Sequence, residues 1–322
     1  VDEFSFIDAI KPSYYKQSTL IKGIGDDAAV IRSSANDLVT AVDIFVEGVH
    51  FKRETMNAFH IGYRALAANL SDLAAMGADP AFYLVGIVIP KSWSDSELKE
   101  IFQGMKELAD FYQMDLIGGD TVSGKQLTIS ITVFGYCQKE KVRFRHTAVQ
   151  GDVVFVTGTL GDSCAGLHVL SEPGEYKNQS YFIKRHRMPS PCLSFVKELQ
   201  QIPRVTLNDI SDGIANEAIE IAQASDVSIH LEEQKIPVSK EFSQFPKELQ
   251  HKWKYFGGED FEILGSVAKE EWPLVKMAAD RTNTQVTEVG FVTSTEMDAG
   301  NVYVHKQGRK VKLDKNGYTH LK

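Results

Sequence analysis

Seven aspartates in this chain stand beside glycine or at the ends of apolar stretches: Asp26, Asp27, Asp43, Asp72, Asp120, Asp209 and Asp212. Charged side chains rarely occupy such settings unless they are paired or bound to metal. Asp72 is the sharpest case. It lies in Ala67-Ala68-Asn69-Leu70-Ser71-Asp72-Leu73-Ala74-Ala75-Met76, a helical stretch with almost no other charge. An unpaired carboxylate buried there costs several kcal/mol. Its alternatives are a partner such as Arg64, an exposed helix face, or a cation. Asp120 closes Leu116-Ile117-Gly118-Gly119-Asp120-Thr121, where two glycines allow a close approach to a ligand or simply make a turn. Asp26 and Asp27 follow Gly23-Ile24-Gly25, and adjacent like charges repel unless a cation intervenes or they point apart. Asp209-Ile210-Ser211-Asp212-Gly213 opens a helix, where Asp212 is either an N-cap or part of a ligand site. An oxygen-rich, sulfur-free donor set suits magnesium, which keeps water ligands for substrate phosphates. The shared pattern predicts a phosphate–metal site.

Two glycine motifs compete with this reading and fail. Gly119-Asp120-Thr121-Val122-Ser123-Gly124-Lys125-Gln126 has the spacing of a P-loop up to the lysine, but Gln126 replaces the Ser or Thr that ligates magnesium. An alternating, strand-like segment follows where that motif needs a helix. Gly23-Ile24-Gly25-Asp26-Asp27-Ala28 loosely matches a dinucleotide fingerprint, yet it places two carboxylates where a pyrophosphate lies.

The bulk numbers agree with a metal-dependent phosphate chemistry. The chain has 322 residues, 43% hydrophobic and 24% charged, which fits a globular enzyme of two domains. Its net charge of −8 argues against a nucleic-acid partner, which needs a basic footprint. Carboxylates that hold divalent cations reconcile that charge with phosphate ligands. No apolar run reaches the length of a membrane span, and Val1-Asp2-Glu3-Phe4 begins no export signal, so neither membrane nor secretion is expected. Cys137, Cys164 and Cys192 are odd in number and far apart, which predicts a reducing cytoplasm with neither a disulfide framework nor a zinc site.

The elements that must position the acids read as follows. Residues 3–16 predict a short amphipathic helix, 38–43 a buried strand ending on Asp43, and 57–77 a helix with Leu66, Leu70, Leu73 and Met76 at core spacing. Next come a strand at 82–89, a helix at 95–112 with Asp95 as its cap, and a strand at 127–136. Past Gly151-Asp152 the chain predicts a strand at 153–157, a helix at 163–170, and a polar loop at 172–180. Helices follow near 191–200 and 213–225, then a strand near 227–232 and an irregular stretch at 234–252. Gly257-Gly258-Glu259-Asp260 leads into a strand at 261–267, then a helix at 270–281 and strands near 286–292 and 302–305. Strands and helices are mixed throughout, so the class is α/β or α+β, with domains expected at 1–148 and 149–322.

Six motifs together resemble those of the thiamine-monophosphate kinase family, within the superfamily of aminoimidazole-ribonucleotide synthetase. They are Gly23–Val30, Glu47-Gly48-Val49-His50-Phe51, Asn69–Ala78, Gly118-Gly119-Asp120-Thr121, Asp209–Gly213 and Gly257–Glu262, in the family's order and spanning nearly the whole chain. The resemblance implies the two-domain fold of that superfamily, with an N-terminal domain that binds ATP and magnesium and forms a homodimer. It implies transfer of the γ-phosphoryl of ATP to thiamine monophosphate, the final step of thiamine diphosphate formation. It implies Asp27, Asp43, Asp72, Asp120, Asp209 and Asp212 as magnesium ligands. Gly119, Asp120, Arg145, Ser211 and Tyr112 are implied at the nucleotide, and His50, Glu259 and Tyr318 at the thiamine portion. Read alone, His50 is an ordinary strand-end histidine, Tyr318 a packed aromatic and Arg145 a surface charge. The chain departs from the family pattern at Ala41-Val42-Asp43, where hydroxyl residues commonly precede the acid. A contact there must use a backbone carbonyl or water.

Phosphoryl transfer demands positioning and charge neutralisation more than covalent help. A phosphomonoester with a second pKa near ~6 is already nucleophilic at neutral pH. No general base or phosphoenzyme is therefore expected, and direct in-line transfer follows. The alternative is another ATP-using synthetase of the superfamily that acts on a different small phosphorylated substrate. A selenophosphate synthetase would carry a reactive Cys near the N-terminus, but none precedes Cys137.

Overall fold

The computed structural model describes residues 10, 12–22, 30–31, 35–294 and 299–315. Asp26, Asp27 and Tyr318 lie outside the described residues. The chain forms two compact units, Val1–Leu73 with Ala78–Glu140, and Ala74–Gly77 with Lys141–Lys322.

The first unit begins with a two-stranded pair, β1 (Leu20–Lys22) and β2 (Val30–Ile31). Then come β3 (Asp37–Val46), α1 (Ala58–Ala75), β4 (Asp79–Pro90), α2 (Asp95–Phe111), β5 (Asp115–Gly124) and β6 (Thr128–Cys137). The last four strands form one sheet in the order β3-β6-β4-β5. Only β4 and β5 run parallel, joined by α2 as the crossover that parallel strands require. Ala41, Val133 and Tyr83 share one row, and Phe45, Ile129 and Ile87 another, which makes the buried face. The alternate face leaves Leu38, Val42 and Ile44 of edge strand β3 exposed.

Helix α1 buries Ile61, Ala65, Leu66, Leu70 and Leu73 completely, each large side chain contributing about 1.5–3 kcal/mol of transfer free energy. Helices α1 and α2 approach through two glycines. A Cβ on Gly62 would lie 1.8 Å from the carbonyl oxygen of Ile101, and one on Gly104 would lie 1.9 Å from that of Phe59. The predicted helices at 57–77 and 95–112 are thus present, but Ser94 rather than Asp95 caps α2. Its side chain accepts from the Glu97 amide while Glu97 reaches back to the Ser94 amide, a capping box. Of the helix predicted over 3–16, Ile10 is helical and residues 12–16 are not, while 3–9 and 11 lie outside the described residues. The Lys16 and Gln17 amides instead bind the Asp115 carboxylate at 2.8 and 2.7 Å. The segment Leu116–Thr121 is strand, not turn, because Gly119 lets β5 lie against Val85, whose oxygen would sit 2.0 Å from any Cβ there.

The second unit runs β7 (Val153–Thr157), α3 (Asp162–Ser171), α4 (Gln179–Arg187), α5 (Leu193–Glu198), β8 (Val205–Asp209), α6 (Ile214–Ala224) and β9 (Ser228–Glu232). It continues with α7 (Lys247–Phe256), β10 (Ile263–Val267), α8 (Trp272–Thr282), β11 (Val286–Thr293), β12 (Val302–Lys306) and β13 (Arg309–Leu313). Seven strands form one sheet in the order β13-β12-β9-β11-β7-β10-β8. Strands β7, β8 and β10 are buried along their whole length. Ile214, Ala218, Ile221 and Ala222 of α6 join Val154, Val156 and Leu264 in the main core. On the other side of β7, Phe155 packs edge-on to Phe195 and tilted against Trp272, with ring centroids 6.3 and 5.9 Å away. Helix α4 follows the loop predicted at 172–180, where no element was predicted, and helix α7 falls largely in the stretch predicted as irregular; Phe182 of α4 and Trp253 of α7 join Phe242 and Phe245 in a satellite core.

The glycine crossing gives a direct test. Gly62→Ala forces α1 and α2 apart and is expected to lower stability by about 1–3 kcal/mol in chemical denaturation. A change below about 0.5 kcal/mol, typical of neutral surface substitutions, would show that the helices do not meet this closely.

Candidate functional site

In the first unit the structure links two of the predicted acids. Asp43 sits on the buried-face rows of β3, between Ala41 and Phe45, and burial raises its carboxyl pKa. Its backbone N–H donates to Asn69 Oδ1 at 3.1 Å, and Asn69 Nδ2 donates to the Ala65 carbonyl at 3.0 Å. Asn69 is fully buried on α1. Asp72 is half-buried three residues further on, and residues at that spacing are neighbours on a helix. Asn69 therefore ties the strand that carries Asp43 to the helical face that carries Asp72.

Asp120 lies elsewhere. It is exposed on β5, where its own carboxylate accepts from the Thr121 amide at 2.9 Å. Its register row is Ile44–Ser130–Gly86–Asp120, next to the row Asp43–Ile131–Val85–Gly119. Strand order puts β3 and β5 three inter-strand spacings apart, about 14 Å, so these two acids do not converge within the unit. Tyr112 is the C-terminal cap of α2, before β5 begins, and its ring meets Phe111 edge-on at 4.8 Å.

His50 ends the turn after β3. The Val46 amide donates to His50 Nδ1 at 3.0 Å, and the ring stacks on Phe45 with centroids 5.2 Å apart. A nitrogen that accepts carries no proton, so His50 is a neutral imidazole whose N–H is on Nε2. Glu47 secures this turn by accepting from Trp93 Nε1 at 3.1 Å and the Leu127 amide at 3.3 Å.

In the second unit, Asp209 ends the buried strand β8 and is itself buried. Gly213, with φ 106° and ψ 147°, is the residue that starts α6, so Asp212 is not the N-cap. Glu217 from the first turn of α6 instead ties down the turn that precedes the helix. Its Oε1 accepts from the Ser211 amide (3.1 Å), the Ser211 hydroxyl (3.2 Å) and the Asp212 amide (2.7 Å). Burial first, then repulsion from Asp209, Asp212 and Glu220, pushes the Glu217 pKa up to about 8. Arg145 approaches from a short turn, donating from Nε to Asn208 Oδ1 at 2.8 Å and pairing with Glu220 at 3.1 Å.

The Gly257–Glu262 segment is fastened to this acidic turn by backbone hydrogen bonds. The Glu259 amide donates to the Ser211 carbonyl (2.7 Å), Phe261 to Ile210 (3.0 Å), and Ile210 back to Glu262 (2.7 Å). Glu259 and Phe261 both adopt left-handed backbone, with φ 68° and 51°. Ser211 and Glu259, predicted for nucleotide and thiamine, are thus brought side by side.

Among the described residues no group of three or more His, Cys, Asp or Glu stands ready to hold a metal ion. The donors nonetheless fit a hard divalent cation. All are oxygens, and Glu217 Oε2 is buried without a hydrogen-bond partner beside three repelling carboxylates. Sequence reasoning missed Asn69, Glu217 and Asn208. An acid in the first turn of a helix that follows Asp-x-x-Asp-Gly was the available signal for Glu217.

Residues 25–137 match the AIR synthase related protein N-terminal domain, and residues 149–302 match its C-terminal domain. The chain is therefore a two-domain protein of the AIR synthase-related class. It is 41% identical over 328 residues to a thiamine-monophosphate kinase of Bacillus subtilis (strain 168), covering 100% of both chains. It superposes on the thiamine-monophosphate kinase of Stenotrophomonas maltophilia K279a with a TM-score of 0.85, at 30% identity over 97% of this chain and 98% of that one. A structure described as AaThiL complexed with AMPPCP and TMP matches with a TM-score of 0.77, at 31% identity over 99% and 96% of the two chains. The chain belongs to the thiamine-monophosphate kinase family.

The Asn69 link can be tested without substrate. Asn69→Ala leaves the Asp43 amide without its acceptor and is expected to lower stability by about 1–3 kcal/mol. Faster exchange of the Asp43 amide hydrogen should accompany it, and an unchanged exchange rate would mean that Asn69 does not hold the strand.

Proposed function

We propose that this protein transfers the γ-phosphoryl group of ATP to thiamine monophosphate, giving thiamine diphosphate and ADP. The observation that carries the reading is the backbone clamp that sets Glu259 beside Ser211. Kinship over the full length with thiamine-monophosphate kinases supports it. Asp27, Asp43, Asp72 and Asp120 of the first unit and Asp209 and Asp212 of the second serve as magnesium ligands. Gly119, Asp120, Arg145, Ser211 and Tyr112 take the nucleotide, and His50, Glu259 and Tyr318 the thiamine portion.

Magnesium, when bound, neutralises the phosphates and lets two polyanions meet. The chain's own residues supply orientation. Glu217 fixes the Ser211 and Asp212 amides, Asn69 fixes Asp43, and Asn208 with Glu220 aims Arg145. The acceptor phosphate is a dianion above its second pKa of about 6 and attacks in line without a base or a phosphoenzyme. ADP release from Mg-ATP should rise on adding thiamine monophosphate, with thiamine diphosphate as product, and Asp72→Asn should abolish the rise. Wild-type turnover indifferent to thiamine monophosphate would move the reading to another enzyme of the same fold. Full activity in the mutant would remove Asp72 from the metal site.

The protein acts as a homodimer through the first unit, in a reducing cytoplasm. Leu38, Val42 and Ile44 support the dimer: they lie 54, 58 and 54% exposed on edge strand β3, an apolar row that a partner would cover. Three free cysteines support the compartment, and among the described residues no helix is long and apolar enough to cross a membrane. Val42→Lys with Ile44→Lys should convert a dimer to a monomer in sedimentation. A dimer unaffected by both lysines would place the interface on another surface.

A further inference from the structure

The Gly257–Glu262 segment holds two left-handed residues that are not glycine, Glu259 and Phe261. Such backbone is sparsely populated and persists only where the surroundings over-determine it. Backbone bonds to Ile210 and Ser211 supply part of that constraint. The rest comes from the residue between the two.

Asp260 is 1% exposed, and its carboxylate reaches across the unit to the first turn of α3. It accepts from the Gly161 amide at 2.6 Å and the Ser163 amide at 3.0 Å. Helix α3 starts at Gly161, which has no side chain with which to cap it. The first turn of a helix leaves its N–H groups without intrahelical partners, and a carboxylate there is favoured by hydrogen bonding and by the helix dipole. Asp260 is thus an N-cap supplied from 99 residues away. Arg185 Nη2 fastens the same segment by donating to the Asp260 carbonyl at 3.3 Å and to Glu262 Oε1 at 2.7 Å. Thr157 completes it, donating its hydroxyl to Glu262 at 2.6 Å and accepting from the Ile263 amide at 2.8 Å.

Asp260 and Glu262 are thus buried and hydrogen-bonded, and Glu259 is held between this anchorage and the Ser211 carbonyl. We infer that Asp260 is a positioning residue for substrate recognition: by capping α3 it holds Glu259 at the thiamine portion of the substrate. This inference rests on the proposed role of Glu259. The Asp209–Gly213 turn has its own support from Glu217, so the effect should fall on thiamine monophosphate and not on ATP.

Asp260→Asn keeps the shape but offers an amide NH2 to one of two N–H donors. It is expected to raise KM for thiamine monophosphate at least tenfold, with KM for ATP within about threefold of wild type. Ser163→Pro, in the first turn where proline is tolerated, deletes one of the two amides and should act in the same direction. It serves as the test if the Asn variant does not fold. The Glu259→Gln single variant reports on the role of Glu259 itself. In that background Asp260→Asn should raise KM no further, and a full, multiplicative second rise would overturn the inference. Amide hydrogen exchange of Glu259 and Phe261 gives a readout independent of substrate. At least tenfold faster exchange in Asp260→Asn is expected even if Glu259→Gln proves inert, which would sink only the role of Glu259. Unchanged exchange would overturn the positioning role.

Discussion

The antiparallel pairing of β8 with β10 is the constraint on which the second unit's site depends. The ladder runs from Val205↔Val267 to Asp209↔Ile263, and both strands are buried on both faces. A shift by one residue would turn every side chain to the opposite face, so burial fixes the register. The pairing does not stop where the strands stop. Ile210 still exchanges with Glu262 and Phe261, and Ser211 with Glu259. The two functional segments are extensions of a packed ladder and inherit its precision. A loop closed only by its own side chains would have to supply that order separately, against the entropy of fixing each residue.

The same physics separates structural acids from functional ones. Asp152 is buried and fully satisfied, with both oxygens on Arg204 at 2.6 Å. Asp115 takes the amides of Lys16 and Gln17. Burial pushes Asp260 up to about 7 against the pull of Arg185 and of the amides of Ser163 and Gly161. Its oxygens are nevertheless occupied, and its work is to cap. Glu217 differs, because one oxygen organises a turn while the other is buried without a donor among like charges. Incomplete satisfaction of a buried polar group is costly. It marks the second unit's site more sharply than the number of aspartates does.

The acids themselves were legible because charge at the end of an apolar run stands out in any sequence. So were helices α1 and α2, whose leucines recur at core spacing. Strands β5 and β8 were not. Gly118-Gly119 reads as a turn until Val85 is seen pressing against it. Val205-Thr206-Leu207-Asn208-Asp209 looks half-polar, yet every residue is buried because Thr147 and Arg145 satisfy Thr206 and Asn208. Helix α7 was hidden by its polar composition, since only Trp253 and Tyr255 of its ten residues are buried. The roles of Asn69, Glu217 and Asp260 depend on partners that local pattern does not reveal, the last of them nearly a hundred residues distant.

The neutral state of His50 bears on what the site accepts. On the proposed reading, the substrate joins a cationic thiazolium ring to an anionic phosphate, and these make opposite demands on nearby charge. A protonated imidazole would repel the ring. The Val46 amide disfavours that state by donating to Nδ1, because an imidazolium has no lone pair to accept with. A neutral His50 adds no positive charge beside such a ring. On the same reading, a carboxylate at Glu259 suits a cation by its sign, and two neighbouring segments hold its backbone in place. Carboxylates thus meet both ends of such a substrate, the cation directly and the phosphate through a divalent ion, which is how a chain of net charge −8 can recognise it.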